Sequence, residues 1–121
     1  MTISYAGLVE SGGRKLHQVR ATMNFPAEQD PAGILTKLSQ TDYFVDSQTN
    51  LVVKTADVTH PVETLTENYP RTVELEAYAT ISGVAVPTVA REKIAGQTVW
   101  EFRLSNIAFN TNLTDTDFSV R

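Results

Sequence analysis

Residues 71–81 read Arg71-Thr72-Val73-Glu74-Leu75-Glu76-Ala77-Tyr78-Ala79-Thr80-Ile81. Val73, Leu75, Ala77, Ala79 and Ile81 alternate with Thr72, Glu74, Glu76, Tyr78 and Thr80. A repeat of two sends successive side chains to opposite sides of a pleated strand, so the run predicts a strand with one apolar and one polar face. The same period recurs on either side. In residues 16–25, His17, Val19, Ala21, Met23 and Phe25 share one face, and Gln18, Arg20, Thr22 and Asn24 the other. Residues 3–9 read as a further strand. Glu10-Ser11-Gly12-Gly13 joins the two as a hairpin turn, since adjacent glycines supply the positive φ a tight turn requires. A brief strand is expected at 43–45, and the β-branched run 51–59 predicts another. Residues 89–104 form the last long extended segment, with Trp100, Phe102 and Leu104 opposite Val99, Glu101 and Arg103. Ala95-Gly96 within it marks a hairpin or a bulge.

One helix is expected, over residues 31–40. Pro26 stops the strand before it, Asp30 is placed as N-cap and Pro31 at the first helical position, and Ile34, Leu35 and Leu38 follow at helical spacing. Polar and proline-containing stretches predict loops at 46–50 and 61–70, and a connection beginning at Ser82-Gly83 and containing Pro87. Residues 106–121 are dense in Asn, Thr and Asp and show no helical period. Ile107, Phe109, Leu113 and Phe118 are placed to tack this stretch to a neighbour. The expected fold is α+β and mostly antiparallel β: an N-terminal hairpin, one short helix, then an antiparallel sheet. It is divided into a single β-rich domain, 1–105, and an extended C-terminal tail, 106–121.

The composition agrees with strands and narrows the chemistry. The 121 residues suit one domain. Sixteen Thr and thirteen Val, both stiff at χ1, favour a pleated surface. The absence of cysteine removes disulfides, thiolate metal sites and cysteine nucleophiles together. A net charge of −4 argues against gripping nucleic acid with the whole surface and leaves open a local basic face. No apolar run approaches the roughly 18 residues of a membrane-spanning helix, and residues 1–7 lack a signal peptide's basic start and apolar block. No membrane partner is expected.

No catalytic set stands out. His17 lies on an apolar strand face, where a core or interface role is expected. Asp57 and His60 are three apart on a strand end, a spacing that sends them to opposite faces and keeps them from chelating one metal. Glu74 and Glu76 share a face and read as a solvated or cross-strand-paired surface rather than an acid–base pair. No phosphate-loop motif and no Gly-x-Ser-x-Gly elbow is present. No enzyme activity, metal or cofactor is therefore expected. The cations gather on the first hairpin (Arg14, Lys15, Arg20) and on the last strand region (Arg91, Lys93, Arg103).

Three local patterns resemble the coat proteins of the single-stranded RNA bacteriophages. Asn24-Phe25-Pro26, followed by Asp30-Pro31-Ala32-Gly33-Ile34-Leu35-Thr36-Lys37-Leu38-Ser39-Gln40, resembles the connector after that family's N-terminal hairpin. Residues 51–60 and 71–81 resemble two central strands joined by a polar turn. Gly83-Val84-Ala85-Val86-Pro87-Thr88-Val89-Ala90-Arg91 resembles the loop and start of its last strand. The likeness covers about residues 3–105. It implies a non-enzymatic capsid subunit that forms symmetric dimers and a closed shell around RNA, located in the virion and in the host cytoplasm during assembly. It further implies weak RNA contacts from Arg20, Lys54, Arg91, Lys93 and Arg103, and an assembly loop containing Gly83 and Pro87. The family's two C-terminal helices, which clasp the partner's sheet, have no counterpart in the pattern of 106–121. Ile94 stands near the place where the family often puts a base-stacking aromatic. Two other readings accompany this one: a viral or mobile-element nucleic-acid-binding or connector module, and a small β-barrel that binds a ligand or performs acid–base chemistry with Glu74, Glu76, Tyr78 or His60.

Overall fold

The computed structural model describes residues 1–120. It contains seven strands: β1 (Thr2–Ser11), β2 (Arg14–Thr22), β3 (Thr41–Asp46), β4 (Val52–Thr59), β5 (Tyr69–Ile81), β6 (Val84–Ile94) and β7 (Gln97–Arg103). They form one antiparallel sheet in chain order. The α+β, mostly antiparallel arrangement with its N-terminal hairpin and single short helix is thus the observed fold. Every strand neighbours the next in sequence, so short connections suffice throughout the strand array.

Three of those connections are two-residue turns with positive φ at both positions. They are Gly12-Gly13 (58° and 78°), Ser82-Gly83 (51° and 81°) and Ala95-Gly96 (50° and 81°). Such turns match the right-handed twist of the strands they join. Of the two readings of Ala95-Gly96, hairpin or bulge, the structure shows the hairpin, which splits residues 89–104 between β6 and β7. One expectation changes. The connection expected to contain Pro87 is only Ser82-Gly83, and Pro87 stands inside β6 opposite Tyr78. The pattern 83–91 therefore leads into the penultimate strand rather than the last.

The helix is shorter than the apolar spacing predicts. It spans Ile34–Leu38 (α1) and is entered through Gly33 at φ 70°. Asp30 still caps it, from further upstream than an N-cap. Its carboxylate accepts from the Leu35 and Thr36 amides at 2.9 and 2.8 Å and from the Thr36 hydroxyl at 2.8 Å. Those amides are two of the donors a helix leaves unsatisfied at its start. The expected loop 61–70 ends early, since β5 begins at Tyr69. After β7 the expected extended tail contains a single 3-10 turn at Asp115–Phe118. The turn is closed by Thr114 and Asp117, whose amide and carboxylate meet at 2.7 Å. Residue 121, the end of that expected tail, lies outside the described residues.

The sheet has two faces and no second sheet. Cross-strand partners place Gln18, Arg20, Asp42, Phe44, Lys54, Glu74, Arg91 and Glu101 on one side, face A. Tyr5, Val19, Tyr43, Val73, Ala90, Trp100 and Phe102 lie on the other, face B. Among the described residues only Leu16, Phe44, Val89 and Ala90 are buried hydrophobics, and none is less than 2% exposed. The chain exposes 8818 Å². A compact monomer of this mass would expose about 6,450 Å². The surplus follows from one layer of sheet covered by little beyond α1 at β4, from the open edge strands β1 and β7, and from the exposed C-terminal stretch.

Candidate assembly surfaces and cationic face

All five cations expected to contact RNA stand on face A, on four different strands. Alternation puts Arg20 on β2, Lys54 on β4, Arg91 and Lys93 on β6, and Arg103 on β7, all pointing to the same side. Strand order could not be read from the sequence, but the two-residue period on each strand already made this gathering possible.

The same face collects carboxylates, and these occupy four of the five cations. Arg20 grips Asp42 through Nε and Nη2 at 2.8 and 2.9 Å, while Gln18 donates to the same carboxylate at 2.8 Å. Arg91 reaches three acids: Glu101 at 2.8 Å, and Glu74 and Glu76 at 3.1 Å each. Lys93 lies 2.8 Å from Glu74, and Arg103 lies 2.8 Å from Glu101. The Arg20 hydrogen bonds hold Asp42 below the usual carboxylate range despite its burial. Those from Lys93, then Arg91, do the same for Glu74. Both acids stay ionised, which disfavours proton donation by Glu74 at neutral pH. Lys54 differs. Its ammonium lies 4.3 Å above the centre of the Phe44 ring, and no carboxylate of the described residues is within ion-pair distance.

Face B carries the apolar surface. Trp100 and Phe102 stack with ring centres 5.9 Å apart and remain 42% and 48% exposed. At the opposite edge, the Tyr5 hydroxyl lies 2.9 Å from His17 Nδ1, so His17 pairs with a neighbouring strand on this face. Between the two edges, Arg71 bonds Asp57 at 2.8 Å through Nε and approaches Glu92 at 3.7 Å. His60 Nδ1 lies 2.9 Å from the Pro61 carbonyl, apart from Asp57. No three His, Asp or Glu among the described residues are grouped as a metal set. No described helix is long and apolar enough to cross a membrane.

Gly83 sits at the tip of a two-strand arm. β4 pairs with β5 only as far as Glu74, and β7 pairs with β6 only as far as Val89. Beyond those points β5 and β6 pair with each other alone, through Tyr78–Pro87 to Ile81–Val84. Pro87 and Gly83 therefore belong to a paired projection rather than to a loop. Sequence reasoning missed this arm because Pro87 read as a strand breaker. A proline is tolerated where its missing N–H has no partner to bond, as at a sheet edge.

Comparison with known proteins returns no matching family model, no matching curated protein and no matching solved structure.

Proposed function

We propose that this chain is a structural subunit that completes its fold by associating with copies of itself. The observation that carries this reading is the missing second layer. The chain exposes about 2,400 Å² more than a compact monomer of its mass. A standard interface takes about 800 Å² from each partner, so the surplus, part of it on the C-terminal tail, is enough for several such patches. Open edge strands and exposed aromatics on face B supply the two usual ingredients of association, backbone pairing and apolar burial. Several patches on one small subunit suit a closed shell better than a simple dimer.

Within that class, the particular reading is the coat subunit of a small RNA bacteriophage, non-enzymatic and enclosing RNA. Its support is the resemblance in residues 24–40, 51–81 and 83–91, together with the observed hairpin, short helix and antiparallel sheet. Contacts with RNA are weak per subunit, because most face A cations are held by carboxylates, and they multiply over the copies in a shell. Projecting arms such as that ending at Gly83 suit contacts between neighbouring dimers.

Size-exclusion chromatography and electron microscopy of the purified protein, with and without RNA, test the reading. Closed particles are the expected result. A stable monomer or plain dimer at every salt concentration, with no particles, overturns it. Binding of single-stranded oligonucleotides without particles would favour the connector or nucleic-acid-binding alternative.

A further inference from the structure

Five of the nine Lys and Arg among the described residues are already committed. Arg20, Arg71, Arg91, Lys93 and Arg103 each have a carboxylate within 3.1 Å. Among the described residues, Arg14, Lys15, Lys37 and Lys54 have none within ion-pair distance, and three of these four meet at one end of the sheet. There the tip of the β1–β2 hairpin, the turn between β3 and β4, and the stretch of β5 leading into the arm enclose an open concavity of about 810 Å³. Arg14 and Lys54 both line it. Arg14 also lines a smaller hollow of about 230 Å³, shared with Lys15.

The wall of the larger concavity is not a neutral mixture of charges. Its three carboxylates, Asp46, Glu74 and Glu76, are occupied from within the protein. Asp46 accepts from the Gln48 and Thr49 amides at 2.8 and 3.2 Å. Arg14 is near enough to help hold Asp46 ionised without forming an ion pair. Glu74 and Glu76 are held by Arg91 and Lys93. Counting Arg91, Lys93 and Arg103 with all the acids they hold, Glu101 included, five cations stand against four carboxylates. Each acid has a partner within the protein, Asp46 through Oδ1 and Glu76 through Oε1, while Arg14 and Lys54 form no ion pair among the described residues. Beside them, Ser11, Gln48 and Thr49 offer neutral polar groups.

From this we infer that the concavity binds phosphodiester groups of single-stranded RNA, with Lys54 and Arg14 as its two anion contacts. A space of this size admits a nucleotide with its flanking phosphates. The inference rests on the RNA-binding part of the proposed function and relocates it. Of the five cations expected to contact RNA, Lys54 is the one that serves, and Arg14 at the hairpin tip joins it. Arg91, Lys93 and Arg103 instead hold the sheet's own acids.

The test is fluorescence anisotropy of a labelled uridine hexanucleotide with the full-length protein at 50 and 200 mM salt. Two phosphate contacts predict that affinity falls about sevenfold across that range, from a slope of about −0.7 per phosphate. Lys54→Gln and Arg14→Gln should each weaken binding about threefold or more at 50 mM salt and flatten the salt dependence, whereas Arg103→Gln should stay within about twofold of wild type. Circular dichroism of each variant confirms that it is folded. Wild-type binding by both Lys54→Gln and Arg14→Gln, or an equal loss in Arg103→Gln, overturns the assignment. So does displacement of the hexanucleotide by inorganic phosphate at equal phosphate concentration, which would make the site one for free anions. Electron microscopy of the same samples separates the two proposals: Lys54-dependent binding without particles removes the coat reading and leaves this site standing.

Discussion

Asp42 shows how individual residues secure an otherwise thin sheet. It is 9% exposed and takes three hydrogen bonds from Arg20 and Gln18, tying β2 to β3 on face A. Replacing a hydrogen-bonded carboxylate leaves donors without a charged acceptor, while the partly exposed Arg20 can turn to water. Asp42→Asn should therefore cost about 1–2 kcal/mol, measured by urea denaturation. The sign with pH follows from the same bonds. Asp42 and Glu74 have folded pKa values below their ordinary ones. The unfolded chain therefore takes up protons first as pH falls, near pH 4. Their stabilisation is complete above about pH 5 and is lost as pH drops through the depressed folded values. Urea midpoints should be level above pH 5 and decline below pH 4, with a smaller decline in Asp42→Asn. A decline beginning well above pH 5 would argue against these two carboxylates as its source.

Among the elements, β5 does the most to shape the molecule. It pairs with β4 along its first half and with β6 along nearly all of its length. Where β4 stops pairing, Ala77 adopts φ 53°, a left-handed conformation that costs a residue with a Cβ about 1–2 kcal/mol. Thr88 donates its hydroxyl to the Ala77 carbonyl at 2.5 Å, and the Tyr78 hydroxyl donates to the Val52 carbonyl, so the bend is tied on both sides. Burial raises the Tyr78 pKa, which keeps this donor protonated across the neutral range. A β-branched side chain tolerates that φ poorly. Ala77→Val should lower stability by about 1–2 kcal/mol in thermal or urea denaturation, whereas Ala77→Gly should not destabilise by more than about 0.5 kcal/mol. Strict alternation in residues 71–81 disclosed the strand and both its faces. It carried no sign of the bend, because an alanine at positive φ looks in sequence like any other alanine.

At the scale of the whole molecule, the proposed association would make stability depend on protein concentration. A fold whose partner copies bind only the native state gains stability with concentration. With an unfolding enthalpy of about 0.7 kcal/mol per residue, a tenfold rise in protein concentration should raise the Tm of a dimer by about 3 °C, and more steeply cooperative shells should dissociate before they unfold. Differential scanning calorimetry over a hundredfold concentration range measures this, and a constant Tm would argue for a self-sufficient monomer. The amino-acid sequence by itself determined most of the strands, their two faces and the Gly12-Gly13 turn, because a period of two and a need for positive φ are local properties. It also determined that cations and carboxylates alternate with apolar residues on those strands. Helix length and the ends of β5 were less legible, since Asp30 caps from outside the helix and strand pairing extended β5 through Pro70. Only the tertiary structure decided that the seven strands lie in one sheet with no second layer. It alone decided which cations are cancelled and which remain free. Those outcomes depend on which strand lies beside which, so that Arg91 meets acids from β5 and β7 while Lys54 lies over the Phe44 ring and forms no ion pair among the described residues.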